Sequence, residues 1–133
     1  MSKLISGTHH AAIKCKDEQQ FLETIAFYRD VLGLSLLRTW GEGEKSGAML
    51  DTGNSILELF ADGQCQHPKG VWAHIALETG DVDACIQAVR DAGYPIIVEP
   101  KDIVISSQPL YPARIAFCVG AAGEEIEFFC PKE

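Results

Sequence analysis

The feature that most constrains the fold of this chain is an internal repeat. The stretches "THHAAIKCKD" and "AHIALETGD" each carry a histidine among small and apolar residues. In each, an aspartate follows seven residues later, Asp17 after His10 and Asp81 after His74. The same order of predicted elements then follows both aspartates. A match in spacing and in element order predicts two duplicated modules.

The first module, about residues 7–62, reads as a βαβββ unit. Asp17 is the predicted N-cap of a helix, with Gln20 three residues on, and Gly33 is its predicted end. Three predicted strands follow, in the stretches "LSLLRTW", "SGAMLDT" and "SILELFAD".

The second module, about residues 70–131, repeats this order. A strand in "VWAHIALE" precedes a helix from Asp81 to Gly93, and three strands follow in "YPIIVEP", "ARIAFCVG" and "EEIEFFC". The stretch "DGQCQHPKG" is a polar linker, and "KDIVISSQPLYP" is the least regular segment, predicted to be a loop that covers a site or moves. With 133 residues, the modules fit one domain over residues 1–133.

Composition excludes several classes of function. Hydrophobic residues make up 47% of the chain and charged residues 23%, which is typical of a folded protein. The net charge of −8 disfavours a nucleic-acid or anionic membrane partner.

Cysteine usage and hydropathy indicate a location. The five cysteines are odd in number and form no C-x-x-C pair, so neither a disulfide framework nor a thiolate zinc site is predicted. No apolar run has the length of a signal peptide or a membrane span, so we expect a cytoplasmic protein.

Four polar side chains stand among apolar neighbours on the predicted strands. Glu58 shares a strand face with Ile56 and Phe60, and Glu127 lies near the end of the last strand. Taken singly, a strand histidine is usually structural and a strand glutamate usually solvated. Together with His10 and His74, however, they place one histidine and one glutamate at equivalent positions of each module, and these residue types bind divalent metals.

Other polar residues are assigned structural or solvated roles. His9 alternates with His10 along the strand, so the two rings should not point into one cavity, and His67 lies in the linker. The remaining acids near strand ends are predicted to be solvated, namely Glu78, Glu124 and Glu125. The chain has no G-x-S-x-G motif, P-loop or dinucleotide fingerprint.

Several stretches together resemble a known family. They are "HHAAIKCKD", "FYRDVLGL", "LELF", "AHIALETGDVDA", "DAGYP" and "EEIEFF". The chain resembles the vicinal oxygen chelate (glyoxalase/bleomycin resistance/dioxygenase) superfamily over most of its length, and the glyoxalase I (lactoylglutathione lyase) family most closely. The resemblance implies an α+β fold in which two paired βαβββ modules form a curved, cup-like mixed sheet around a metal site.

The same resemblance implies four metal ligands, His10, Glu58, His74 and Glu127. Extradiol dioxygenases and fosfomycin-resistance enzymes of the superfamily use two histidines and one glutamate, so a carboxylate at Glu58 favours glyoxalase-like proton chemistry. The resemblance does not specify the ion, and mixed imidazole and carboxylate ligands suit nickel, zinc, cobalt, manganese or iron. Bleomycin-resistance-type binding proteins lack this set.

The implied reaction converts a 2-oxoaldehyde thiol hemithioacetal to a 2-hydroxyacyl thioester through an enediolate. Glu127 is the expected base, with Glu58 as its near-equivalent counterpart. Arg38 matches an arginine that holds the thiol cosubstrate, whereas Asp62 stands where an asparagine is expected and disfavours an anionic thiol such as glutathione.

Two other functions stay open from the sequence. One is a metal-binding or small-molecule-binding module without catalysis, and the other is ring cleavage by a ferrous extradiol-type dioxygenase. The resemblance also implies a homodimer, in which each metal site lies either within one chain or between two.

Overall fold

The computed structural model describes Leu4, residues 8–63 and residues 73–132. The chain divides into two compact units, Met1–Cys65 and Gln66–Glu133. Unit 1 contains strand β1 (His10–Lys14), helix α1 (Glu18–Ala26) and strands β2 (Ser35–Trp40), β3 (Gly47–Asp51) and β4 (Ile56–Phe60). Unit 2 contains strand β5 (Ile75–Glu78), helix α2 (Val82–Asp91) and strands β6 (Ile96–Ile105), β7 (Tyr111–Val119) and β8 (Glu125–Pro131). Each unit thus has the predicted βαβββ order, and the α+β fold class is confirmed.

Helix α1 begins where the sequence predicts. The Asp17 carboxylate accepts a hydrogen bond of 2.8 Å from the Gln20 backbone N–H, which satisfies a donor of the first turn. The helix continues as a π-helical turn, Phe27–Val31, in which the Leu32 N–H donates to the Phe27 carbonyl. Gly33 then adopts a φ of +82°, a conformation that glycine allows at a helix end.

The sheet of unit 1 has the strand order β1-β4-β3-β2. β1 runs parallel to β4, and the other neighbouring pairs are antiparallel. Leu57 and Leu59 are fully buried, and helix α1 packs against β4. Since side chains alternate along a strand, Glu58 between them lies on the opposite face, away from the helix.

The sheet of unit 2 repeats this arrangement with the order β5-β8-β7-β6. β5 runs parallel to β8, and helix α2 packs against β8. The Asp81 carboxylate caps the helix, accepting a 3.0 Å hydrogen bond from the Ala84 N–H. Ile126 and Phe128 are buried on the helix side, which leaves Glu127 on the other face.

Two predicted boundaries were wrong in the described part of unit 2. Residues 101–105, assigned to an irregular loop, continue β6 and pair with β7 from Lys101↔Ile115 to Ile105↔Tyr111. The β-branched residues of "DIVI" favour a strand, and a register shift before Lys101 obscures the alternation. β5 begins at Ile75 rather than at residue 71, and residues 71–72 and most of the predicted linker lie outside the described residues.

The described cysteines form no disulfide bond with one another. Cys15 and Cys118 are fully buried, and burial raises the pKa of the Cys118 thiol to about 12. Because the thiolate is the reactive form, Cys118 is an inert core residue at neutral pH. Cys65 lies outside the described residues.

The helices of the described residues are short. None of them is long and apolar enough to cross a membrane.

Candidate metal centre

Unit 1 brings together the two residues that the sequence singled out in its first module. Ala12 on β1 pairs with Glu58 on β4, so the two side chains share a face of the sheet. His10 lies two residues before Ala12 and therefore lies on that same face. The Nε2 atom of His10 lies 3.3 Å from Oε1 of Glu58.

Unit 2 forms the second pair by the same register. Ala76 on β5 pairs with Glu127 on β8, and His74 lies two residues before Ala76. The Nε2 atom of His74 lies 3.1 Å from Oε1 of Glu127. In both units, the glutamate thus pairs with an alanine, and the histidine lies two residues before that alanine.

The donor atoms of each pair suit a shared divalent metal. With bonds of about 2.1 Å, two neighbouring ligands lie about 3.0 Å apart in an octahedral site and about 3.4 Å apart in a tetrahedral one. The observed separations, 3.3 Å and 3.1 Å, fall in that range. Within the described part of each unit, no group of three or more His, Cys, Asp or Glu side chains gathers. Each unit therefore brings together two of the four predicted ligand residues.

Both glutamates are held in partly dry surroundings. The Glu58 side chain is 12% exposed and the Glu127 side chain 13%. Glu58 lies between Ala12 and Met49 on the neighbouring strands. A carboxylate in such a place needs a cationic or hydrogen-bonding partner, and a histidine or a bound metal supplies one.

Glu127 has a more aromatic setting. It lies between Ala76 of β5 and Phe117 of β7, and the His74 ring meets the Phe117 ring edge to face at a centroid distance of 5.3 Å. The aromatic ring limits the orientations open to His74.

His10 has a different neighbour. The Nδ1 atom of His9 lies 2.9 Å from Nδ1 of His10, and the rings meet edge to face. β1 begins at His10, so His9 precedes the regular ladder and its ring can approach that of His10. The sequence signal for this contact was only the adjacency of the two residues.

Arg38 lies on the same sheet face as Glu58. Arg38 pairs with Met49 across β2 and β3, and Met49 pairs with Glu58 across β3 and β4. Directly opposed residues share a face, so the exposed guanidinium side chain projects from the face that carries the His10–Glu58 pair.

Asp62 is not an isolated acid. Its carboxylate lies 3.6 Å from the Lys14 ammonium, and both side chains are solvent-exposed. An exposed pair of this kind contributes only about 0–1 kcal/mol, yet it offsets the local negative charge.

The other polar candidates lie apart from these pairs. Glu78 is exposed, as predicted, and Glu125 is half-buried at the start of β8. Glu124 was predicted to be solvated, but its carboxylate accepts a hydrogen bond from the Ala122 N–H and closes the turn before β8. His67 lies outside the described residues.

The sequence matches the family model of the Glyoxalase/Bleomycin resistance protein/Dioxygenase superfamily over residues 7–109. The chain belongs to this superfamily, and the resemblance inferred from its motifs is confirmed. The superfamily includes enzymes such as glyoxalase I. No curated protein matches the sequence.

Solved structures share the fold. A glyoxalase/bleomycin resistance protein/dioxygenase from Alicyclobacillus acidocaldarius superposes with a TM-score of 0.70 at 16% identity, covering 96% of this chain and 93% of that one. The trypanothione-dependent glyoxalase I of Leishmania major gives 0.65 at 24% identity, with 91% and 84% covered. A lactoylglutathione lyase from Agrobacterium tumefaciens gives 0.67 at 17% identity, with 96% of both chains covered.

Proposed function

We propose that the protein is a metal-dependent isomerase of the glyoxalase I type. Its reaction converts a 2-oxoaldehyde thiol hemithioacetal to a 2-hydroxyacyl thioester. The observation that carries this proposal is the pair of largely buried glutamates, each with its carboxylate 3.1–3.3 Å from a histidine Nε2 at an identical register. Two ionisable carboxylates on equivalent sheet positions suit chemistry that takes a proton from one carbon and returns it to the next.

The four residues hold one divalent metal in this proposal. His10 and Glu58 supply two donors, and His74 and Glu127 supply the other two. The two units, about residues 7–62 and 70–131, then act as a single domain. The fit of the donor separations to metal geometry supports the proposal, as does the choice of imidazole and carboxylate ligands.

The bound metal supplies positive charge that stabilises the negative charge developing on the substrate oxygens. Because a metal-bound carboxylate is a weak base, Glu127 would have to leave the metal before it removes the proton from the substrate carbon. It would accept that proton on a carboxylate oxygen. Glu58 holds the opposite position and either returns the second proton or remains a ligand. The matching registers of the two glutamates support treating them as near-equivalent in this proposal.

Arg38 binds the thiol part of the substrate in this proposal. Its place on the sheet face of Glu58 supports that role. Asp62 weakens the attraction for an anionic thiol, and its contact with Lys14 moderates this effect. We therefore expect hemithioacetals of uncharged or cationic thiols to be turned over at least as well as that of glutathione.

A screen with methylglyoxal tests the function. The purified, metal-loaded protein is given hemithioacetals of glutathione, 2-mercaptoethanol and cysteamine, and thioester formation is followed by absorbance. Metal-dependent turnover of at least one supports the isomerase. Metal binding without turnover of any hemithioacetal would point instead to a binding module, and metal-dependent oxygen uptake with catechols to a dioxygenase.

The protein is a homodimer in this proposal, and the metal site either lies within one chain or joins two chains. Mixing His10→Ala with His74→Ala under conditions of subunit exchange separates these arrangements. If two chains share each site, a mixed dimer has one site with both lesions and one intact site. We expect partial recovery of metal binding, up to about half the sites of a mixed dimer.

Exchange itself is followed by mass spectrometry of differently tagged chains. Proven exchange without recovery would place all four ligands of a site in one chain.

A further inference from the structure

We propose that His9 is a positioning residue that fixes the proton of His10 so that Nε2 is free to bind metal. This inference rests on the proposed metal role of His10 and extends it to a residue outside the four ligands. It assigns a function to His9, the first histidine of the "HH" pair, which the sequence analysis had given a structural or solvated role.

The contact between the two rings requires a single proton between two nitrogens. The Nδ1 atoms lie 2.9 Å apart, a hydrogen-bonding distance, and one of them must donate. The ring planes are 86° apart, so the contact is edge to face rather than stacked. The opposite side of the His10 ring, Nε2, lies 3.3 Å from the Glu58 carboxylate.

The choice of donor follows from the metal. A neutral imidazole carries one proton, so a His10 that binds metal through Nε2 must hold its proton on Nδ1. His10 then donates from Nδ1, and Nδ1 of His9 accepts. His9 consequently carries its own proton on Nε2. A ligand histidine whose second nitrogen donates in this way is oriented and made more basic.

The backbone at His9 is tied to the strand that carries Glu58. The Ser55 hydroxyl lies 3.1 Å from the carbonyl oxygens of both Thr8 and His9, and donates to one or the other. Ser55 directly precedes β4. This contact ties the backbone at His9 to β4, while the two rings are exposed.

Among the described residues of unit 2, no histidine stands next to His74 in the sequence. The residue before His74 is Ala73, and the His74 ring packs against Phe117 instead. The contribution of His9 is therefore specific to the first pair, and Ala73 provides a matched control position.

Zinc affinity, measured by competition with a chromogenic chelator, tests the inference. We expect His9→Leu to weaken zinc binding by about tenfold, the lower end of the range for partners of metal ligands, because the contact is exposed. His9→Asn should recover most of the affinity, since its side-chain oxygen accepts a hydrogen bond near the place of Nδ1. Ala73→Leu should bind zinc like the parent protein.

Nitrogen-15 NMR of the zinc-loaded parent provides a second readout. We expect the proton of His10 on Nδ1 and that of His9 on Nε2. Three results would overturn the role of His9 but leave the proposed metal site standing. They are a parent-like zinc affinity in His9→Leu, a failure of His9→Asn to recover affinity, and a proton on Nδ1 of His9. Failure of the parent protein to bind zinc, nickel or cobalt would instead overturn the proposed metal site.

Discussion

Glu127→Gln is expected to lower turnover by about two orders of magnitude or more while the protein stays folded. Glutamine keeps the size and shape of the side chain but cannot accept a proton from the substrate carbon. The change is confined to the sheet face away from helix α2, so the buried residues Ile126 and Phe128 keep their packing. The measurement is kcat with the best hemithioacetal, together with a thermal melt.

Glu99→Gln is the matched control for this experiment. It makes the same chemical change on the exposed strand β6, where Glu99 contacts Arg90, and it should leave kcat unchanged. Full activity in Glu127→Gln would move the base to Glu58, and the same substitution at Glu58 would then carry the loss.

His74→Ala is expected to weaken metal binding by about 100-fold or more. Removing a residue that hydrogen-bonds a metal ligand costs up to about 100-fold in affinity, and removing the ligand itself costs at least as much. A metal held at 100 times its Kd adds about 2.7 kcal/mol to the free energy of unfolding, and a Kd weakened 100-fold leaves about 0.4 kcal/mol at the same concentration. Titration calorimetry and melting curves with and without metal measure both quantities.

Phe117→Leu is the control for altered packing at this site. It removes the ring that meets His74 but keeps both donor atoms, so the protein should still bind metal within about tenfold of the parent affinity. A melting temperature of His74→Ala that rises with metal as much as that of the parent would show that His74 is not a ligand.

Local signals in the sequence predicted much of the fold. Asp17 and Asp81 cap their helices as expected. Each carboxylate accepts a hydrogen bond from the backbone N–H three residues later, so the cap depends only on neighbouring residues. The repeat predicted that both units share one order of elements along the chain, and they do. The end of β6 was missed, because a register shift before Lys101 interrupts the alternation of side chains along the strand.

The candidate site was only partly predictable. Alternation along β4 predicted that Glu58 shares a face with Ile56 and Phe60. The distances from the two glutamates to their histidines depend on parallel pairing with a distant strand. The contact of His9 with His10 was not foreseen. It arises because the regular strand begins one residue after His9, and strand ends cannot be read to within a residue from sequence.

The central claim is that the two His–Glu pairs serve one metal ion, and metal content per chain tests it most directly. Elemental analysis after loading and desalting should give about one divalent metal per chain for the parent protein. His10→Ala and His74→Ala should each reduce this value to nearly zero, because either change removes a ligand of the same ion. Two metals per chain, or one metal that persists after the loss of either histidine, would contradict the claim.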